Sequence, residues 1–276
     1  MPKAARTFKD SLFKHYFSDK ERIIEAYNAI AGTNYSPASK IEFKTLKNVL
    51  FQSQLIAFML EDHLVVLIEH QSTINENMPL RLLLYISEIY KGFIPESLLY
   101  QKSVKRIPTP DFIVIYNGVE KHPEKKVLRL SDAFVDPPGP PSLELTVPVY
   151  NIAKGSNKEL LKQSVALSDY AVFIDHVRER VDHGDELGAA IENTIHFCLE
   201  NGIMVSYLKK YSAEVRKMIS LEWNDEIYRK VLMEEGREEG REEGRLEVAR
   251  KIKAKGMEAA YIAEVTGLSE EVIEAL

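Results

Sequence analysis

The sequence predicts an α/β protein: a mixed β-sheet with helices packed on it, followed by an all-helical half. Three observations predict this. Two apolar runs, 46–60 and 63–69, lie around the short polar stretch Glu61-Asp62-His63 and read as a β-hairpin. Two more strand-like segments, DFIVIYNGVE and SLELTVPVYNIA, follow after a helical pattern. From Ser156 onward the apolar residues recur at helical spacing. Helix, hairpin, helix, strand, strand, helices is an order that calls for a mixed sheet covered by helices.

Each element has its own local cause. In residues 8–30, Phe13, Phe17, Ile24 and Tyr27 recur at helical spacing, with a break expected near Ser18-Asp19. In NMPLRLLLYISEIYKGF, Pro79 suits a first helical turn, Leu83, Leu84 and Ile86 fall near one face, and Gly92 marks the end. DFIVIYNGVE is a strand running into Asn117-Gly118, a strong short-range hairpin signal. PPGPP at 137–141 reads as a rigid turn or linker. In SLELTVPVYNIA, Pro148 points to an edge strand or a strand end. NKELLKQSVALSDYAVFIDHVRERV and DELGAAIENTIHFCLENG are amphipathic helices, and a third helix begins near Met204 and continues through Trp223.

Composition narrows the function classes. Of the 276 residues, 45% are hydrophobic and 28% charged, which is ordinary for a globular protein, and the net charge is -6. Any contact with nucleic acid must therefore come from a local basic patch. The single cysteine, Cys198, excludes an internal disulfide framework and a cysteine zinc cage, and it fits a reducing cytoplasm. It falls in the apolar run Ile195–Leu199 and reads as core. The seven histidines (15, 63, 70, 122, 176, 183 and 196) lack zinc-ligand spacing. No apolar stretch approaches the roughly 18 residues of a membrane span, and the N-terminus lacks a signal-peptide core, so no membrane association is expected.

The stretch HLVVLIEHQSTIN poses the functional question. Five apolar residues, Leu64 to Ile68, end on Glu69-His70-Gln71. Strand alternation places Glu69 and Gln71 on one face and His70 on the other. An acid at the end of an apolar strand either runs out into solvent or belongs to a metal or phosphate site.

The run LVVLIEHQSTINENMPLRLLLYISEIY resembles the signature of the recombination-promoting nuclease (Rpn) family, transposase-like members of the PD-(D/E)xK nuclease superfamily. FKDSLFKHYFSD, TLKNVLF, IPTPDFIVIYNG and the closing EEGREEGR and IAEVTGLSEE follow the family's layout in the same order. The resemblance implies a restriction-endonuclease-like α/β core, Mg²⁺-dependent (or Mn²⁺-dependent) DNA cleavage, and a helical C-terminal region. It implies Glu69 as metal ligand, Gln71 as the third motif residue that orients water, and Asp10 on the first helix as accessory acid and metal ligand. Cleaving a phosphodiester calls for a hard cation, and Mg²⁺ is held by one or two carboxylates plus waters and phosphate oxygens. Gln71 brings no charge and cannot act as a base at neutral pH.

The chain departs from the family at one point. The first hairpin strand normally carries Asn-Asp just before the residue matching Ile56; here Leu55 runs directly into Ile56. With a turn near Glu61-Asp62, the position across from Glu69 falls at Gln54 or Leu55. Two functions remain open: an endonuclease with a weakened metal site, or an inactive relative acting as a DNA-binding or protein-interaction module. Arg81 and Tyr85, four apart on the helix after the Glu-x-Gln strand, are either a phosphate contact or a surface arginine packed on a tyrosine. Asp111 reads as a turn cap ahead of a ligand.

The expected organisation is a nuclease-like core over 1–155, a helical extension packed on it over 156–224, and a Glu/Gly/Arg-rich helix with a small helix-turn-helix over 225–276. Glu-Glu-Gly-Arg occurs three times from Glu234 to Arg245, which sets Arg237, Arg241 and Arg245 along one drifting stripe with Gly236, Gly240 and Gly244 beside it. Such a helix is either a stalk through which copies associate into a homo-oligomer or a solvated linker. The closing YIAEVTGLSEEVIEAL reads as two short helices about Gly267, acidic where a DNA reader is basic.

Overall fold

The computed structural model describes residues 12–44, 55–70, 75–135 and 139–275, with the backbone alone at 67–70, 93, 221–236, 238, 239, 242, 270 and 275. Two compact units divide at Leu221 and Glu222.

The first unit opens with α1 (Leu12–Phe17) and α2 (Lys20–Ala31). The break at Ser18-Asp19 is a cap: the Asp19 carboxylate accepts from the backbone N–H groups of Glu21 and Arg22, each at 3.1 Å. Gly32 closes α2 in the left-handed conformation, φ 66°. Leu12, Phe13, Phe17 and Ile23 are fully buried, so this pair is held by packing more than by propensity.

The sheet has six strands: β1 (Ile41–Lys44), β2 (Leu55–Leu60), β3 (His63–His70), β4 (Thr109–Tyr116), β5 (Lys125–Arg129) and β6 (Thr146–Asn151). Their spatial order is β1-β2-β3-β4-β6-β5. The pairs β1–β2, β2–β3 and β5–β6 are antiparallel, whereas β3–β4 and β4–β6 are parallel. The expected hairpin is β2–β3, and its two-residue turn is Glu61-Asp62, with Leu60 opposite His63 and Glu61 at φ 50°. Of the first apolar run, 55–60 form β2 and 46–54 lie outside the described residues. The short strand β1 lacks an apolar run and was not expected from the sequence.

Helices cover both faces. Side chains of Leu55, Ala57, Leu64, Val66, Phe112, Val114, Val147 and Val149 pack against Met78, Leu82, Tyr85, Ile86 and Ile89 of α3 (Met78–Phe93). The opposite face meets α2: the Tyr27 ring contacts Phe58, and the Tyr150 hydroxyl donates to the Ile30 carbonyl. With helices on both faces, β2 is apolar at nearly every position rather than at alternate ones.

Three local readings are corrected. Asn117-Gly118 does not make a β4–β5 hairpin, because β6 lies between those strands. The glycine answers a different need. A Cβ at Gly118 would sit 2.4 Å from the Tyr116 hydroxyl, whose ring folds back so that the hydroxyl donates to the Glu120 carbonyl. Pro148 is not in an edge strand. Pairing of β6 with β4 begins at Val149, so the proline stands where β6 has a neighbour on the β5 side alone. In α3, Leu84 is 61% exposed, and the buried face is the Met78, Leu82, Tyr85, Ile89 row instead; the helix continues past Gly92 to Phe93. Of the PPGPP turn, 137 and 138 lie outside the described residues.

The short helix α4 (Glu96–Leu99) follows α3. After the sheet come α5 (Lys158–Gln163), α6 (Val165–Asp182), α7 (Leu187–Glu200) and α8 (Val205–Lys253), the last kinked at Tyr211, whose φ of -126° is not helical. Ser164 separates α5 from α6 by capping Leu167 N–H at 3.0 Å. Phe13 lies edge-on to Tyr170 of α6 at 5.5 Å, and Tyr16 edge-on to Tyr207 of α8 at 4.9 Å. Cys198 is fully buried, and burial pushes its thiol up to about 12, which makes it unreactive core.

In the second unit, α9 (Ala259–Thr266) and α10 (Glu270–Ala275) join across Gly267, φ 68°. Ala249, Ile262 and Ile273 form its small core. Arg245 donates to the Thr266 carbonyl at 2.6 Å, and Lys253 donates to the carbonyls of Ile273 and Glu274. Cations thus complete the C-terminal ends of both short helices. No described helix is long and apolar enough to cross a membrane.

Candidate active site

The parallel strands β3, β4 and β6 end side by side. Glu69 is paired with Ile115, and Tyr116 with Asn151. In open α/β sheets, ligands are met outside the carboxyl ends of the strands. Backbone alternation along β3 assigns position 69 to the face of Val65 and Ile115, the face that Tyr27 and Phe58 identify as covered by α2. The Glu69 side chain is outside the described atoms, and Gln71 and Asp10 lie outside the described residues.

The other half of the hairpin is described. Leu55 of β2 stands opposite Ile68, and Ile56 opposite Leu67. Directly opposed residues share a face, so Leu55 is not the residue across from Glu69. An acid inserted immediately before Ile56 would occupy the Leu55 place and share the face of Ile68. Leu55 is buried in the α3-side core, so the described part of β2 brings no carboxylate.

Arg81 and Tyr85 lie on α3. The Arg81 guanidinium donates to the Tyr85 hydroxyl at 3.4 Å and lies 6.0 Å from the ring centre. Tyr85 belongs to the core on the α3 side of the sheet. At the opposite end of the parallel strands, Asp111 accepts from the Tyr27 hydroxyl at 2.7 Å and faces His63 Nδ1 at 2.9 Å. It ties α2 to β4 and β3 rather than capping a turn. Burial and the Asp111 bond hold the Tyr27 phenol well above its ordinary range.

Sequence reasoning missed a cluster beyond the ends of β4 and β6. Asn117 is fully buried; its backbone carbonyl and its side-chain oxygen both accept from Arg178 of α6. Arg178 also faces Asp175 at 3.6 Å. Burial pushes the Asp175 carboxyl up to about 6, against the lowering influence of Arg178. Beside them is a cleft of about 330 Å³ lined by Gly118, His122, Asn151, Lys154, Ser156 and neighbours. The Asn151 amide donates to the His122 carbonyl and the Ser156 hydroxyl. The only signal in the sequence was Asn-Gly, which also reads as a hairpin turn.

Among the described residues there is no group of three or more His, Cys, Asp or Glu side chains that could hold a metal ion. The donors this chain offers near β3 are Glu69 and Gln71, with Asp10 ahead of α1. Against the two carboxylates that suit Mg²⁺, this set fits in part: the described strand β2, Leu55–Leu60, is apolar throughout and adds no acid to it.

A family model described as "Putative transposase, YhgA-like" matches residues 44–194, more than half of the chain and all of the sheet from β2 to β6. No curated protein and no solved structure matches the chain. The six-stranded mixed sheet between helical layers and the helical C-terminal region agree with the nuclease-like α/β architecture. By that match the chain belongs to the YhgA-like transposase family.

Proposed function

We propose that this chain acts on DNA as a Mg²⁺-dependent endonuclease whose metal site is one carboxylate short. Family membership supports the reaction class. The observation that carries the weakened site is the hairpin register, in which Leu55 stands opposite Ile68 and β2 offers no described acid. In this reading Glu69 holds the ion, Asp10 is the accessory acid, and Gln71 orients the attacking water through its amide. A bound Mg²⁺ would polarise the scissile phosphate and acidify that water. Arg81 rests on Tyr85 on the α3 side of the sheet, across from the face of position 69, so it is left out of this metal site. The cytoplasm is the proposed compartment, on the single buried cysteine.

The same register favours a second reading, in which hydrolysis is lost and the chain persists as a DNA-binding or protein-interaction module. Plasmid nicking with Mg²⁺ or Mn²⁺ separates them. The endonuclease reading expects slow, metal-dependent nicking that Glu69→Ala removes. Nicking that survives Glu69→Ala places the chemistry elsewhere. DNA binding without nicking at any metal concentration leaves the module.

We also propose self-association through 225–276. Unit two carries nine Lys and Arg against fifteen Asp and Glu, so the whole net charge of -6 resides there and the first unit is neutral. That charge disfavours the DNA backbone, and what supports association is the stripe of Gly236, Gly240 and Gly244, which lets a second helix approach closely.

A further inference from the structure

The loop between α4 and β4 combines features that the nuclease site does not use. From Leu99 to Ile107 the sequence is LYQKSVKRI, with three cations and no acid. Lys102, Lys105 and Arg106 are all exposed. None of them makes an ion pair or a side-chain hydrogen bond among the described residues. Elsewhere in the first unit the pairing of such cations is common: Lys44 with Glu42, Lys91 with Glu88, Lys126 with Glu76, Lys162 with Glu159 and Arg216 with Glu192.

Apolar side chains are interleaved with these cations and equally open. Leu99 is 74% exposed, Tyr100 87%, Val104 94% and Ile107 48%. Single exposed apolar residues are ordinary, but four within nine positions, among three cations, form a surface of mixed chemistry. The loop is held at both ends. Gln101 N–H bonds to the Leu98 carbonyl, the Tyr90 hydroxyl donates to the Pro108 carbonyl at 2.6 Å, and Thr109 N–H reaches the Asp62 carbonyl. Its ends are therefore positioned by α3, α4 and the β2–β3 turn.

We propose that residues 99–107 are a DNA contact: Lys102, Lys105 and Arg106 on backbone phosphates, with Tyr100 and Val104 against base or sugar faces. This rests on the DNA reading above and locates where the polymer is held. Charge complementarity selects the occupant. In a neutral unit, a run of cations free of acids, and without a partner among the described residues, is the local patch that a polyanion requires. The open tyrosine suits base stacking, which cations alone would not need. Register sets the spacing from the nuclease motif. Thr109, just past the loop, is paired with His63, and Glu69 lies six residues further along β3. At about 3.3 Å per residue that is about 20 Å, or roughly six base-pair steps of duplex.

The test is fluorescence anisotropy of the full chain with labelled duplex and single-stranded DNA, without metal, across a salt series. Lys102→Ala/Lys105→Ala/Arg106→Ala should weaken duplex binding about tenfold or more at low salt and flatten the salt slope by about three. Tyr100→Ala should leave the duplex slope unchanged and weaken single-strand binding about tenfold. The loop is exposed, so thermal melting of the variants should match the parent. If the parent binds DNA and the triple variant binds with equal affinity and slope, the loop proposal is wrong and the DNA reading stands. If the parent binds no DNA at low salt, both fall. Binding to phosphatidylserine vesicles through the same three cations, with no DNA binding, would assign the loop to a membrane surface and overturn the proposal.

Discussion

Leu55 of β2 stands directly opposite Ile68 of β3, one pair short of Glu69. The register, carried one pair further, directs a restoring acid to position 54. Gln54→Asp is therefore expected to raise Mg²⁺ affinity about ten- to a hundredfold, the return on about 1–3 kcal/mol from one charged ligand. Metal-dependent nicking should rise with it and vanish again in Gln54→Asp/Glu69→Ala. Asn-Asp inserted between Leu55 and Ile56 should restore less, because its Asp takes the face of Ile68. Equal rescue by both, measured by plasmid nicking against Mg²⁺ concentration, would contradict the register argument.

Asp175 is expected to make stability depend on pH. Its folded pKa of about 6 lies above the 3.8 of a free aspartate. The native state thus binds the extra proton, and the contribution is full below pH 4 and lost as the pH rises through 6. Arg178, Glu179 and Lys154 face the carboxyl, and Arg178 offsets part of the burial. Asp175→Asn has no charge to bury, so it should gain on the parent by up to about 3 kcal/mol between pH 4 and pH 7. Thermal melting of both proteins at pH 4.5 and pH 7.5 checks the sign; a gap that narrows with rising pH refutes it.

Gly118→Ala should destabilise the first unit by about 1–3 kcal/mol, because the added methyl meets the Tyr116 ring at 2.4 to 2.6 Å. The cost comes from Tyr116 and not from a turn conformation. In the Tyr116→Ala background the same change should therefore cost far less, and the coupling in a double-mutant cycle by urea unfolding should exceed about 1 kcal/mol.

Arg245→Ala should loosen the second unit selectively. It removes the donor on the Thr266 carbonyl at the C-terminus of α9, a loss of about 1 kcal/mol against a core of three fully buried side chains. Amide exchange in 259–275 should accelerate while exchange in the sheet stays unchanged. Removal of 222–276 should reduce the mass seen by light scattering to that of one chain, if copies associate through this unit.

The sequence by itself determined what local chemistry controls. The break before α2 follows from Asp19 as a cap, the β2–β3 turn from two polar residues between apolar runs, and the joint of α9 and α10 from Gly267. Each depends on a few neighbouring residues whose hydrogen bonds or φ angles have one good solution. The family was legible for the same reason, since its motifs are contiguous. Tertiary structure decided what depends on distant pairing. Asn117-Gly118 looks like a hairpin until β6 enters between β4 and β5, and then the glycine serves the Tyr116 ring. Leu84 and Ile86 look alike on α3 until the sheet selects which face is covered. Asn117, Asp175 and Arg178 come from segments about sixty residues apart, and no local pattern joins them. The open cations of 99–107 are ordinary letters in the sequence; only the fold shows that no described acid comes to meet them, because burial and pairing are properties of the folded surface and not of the chain.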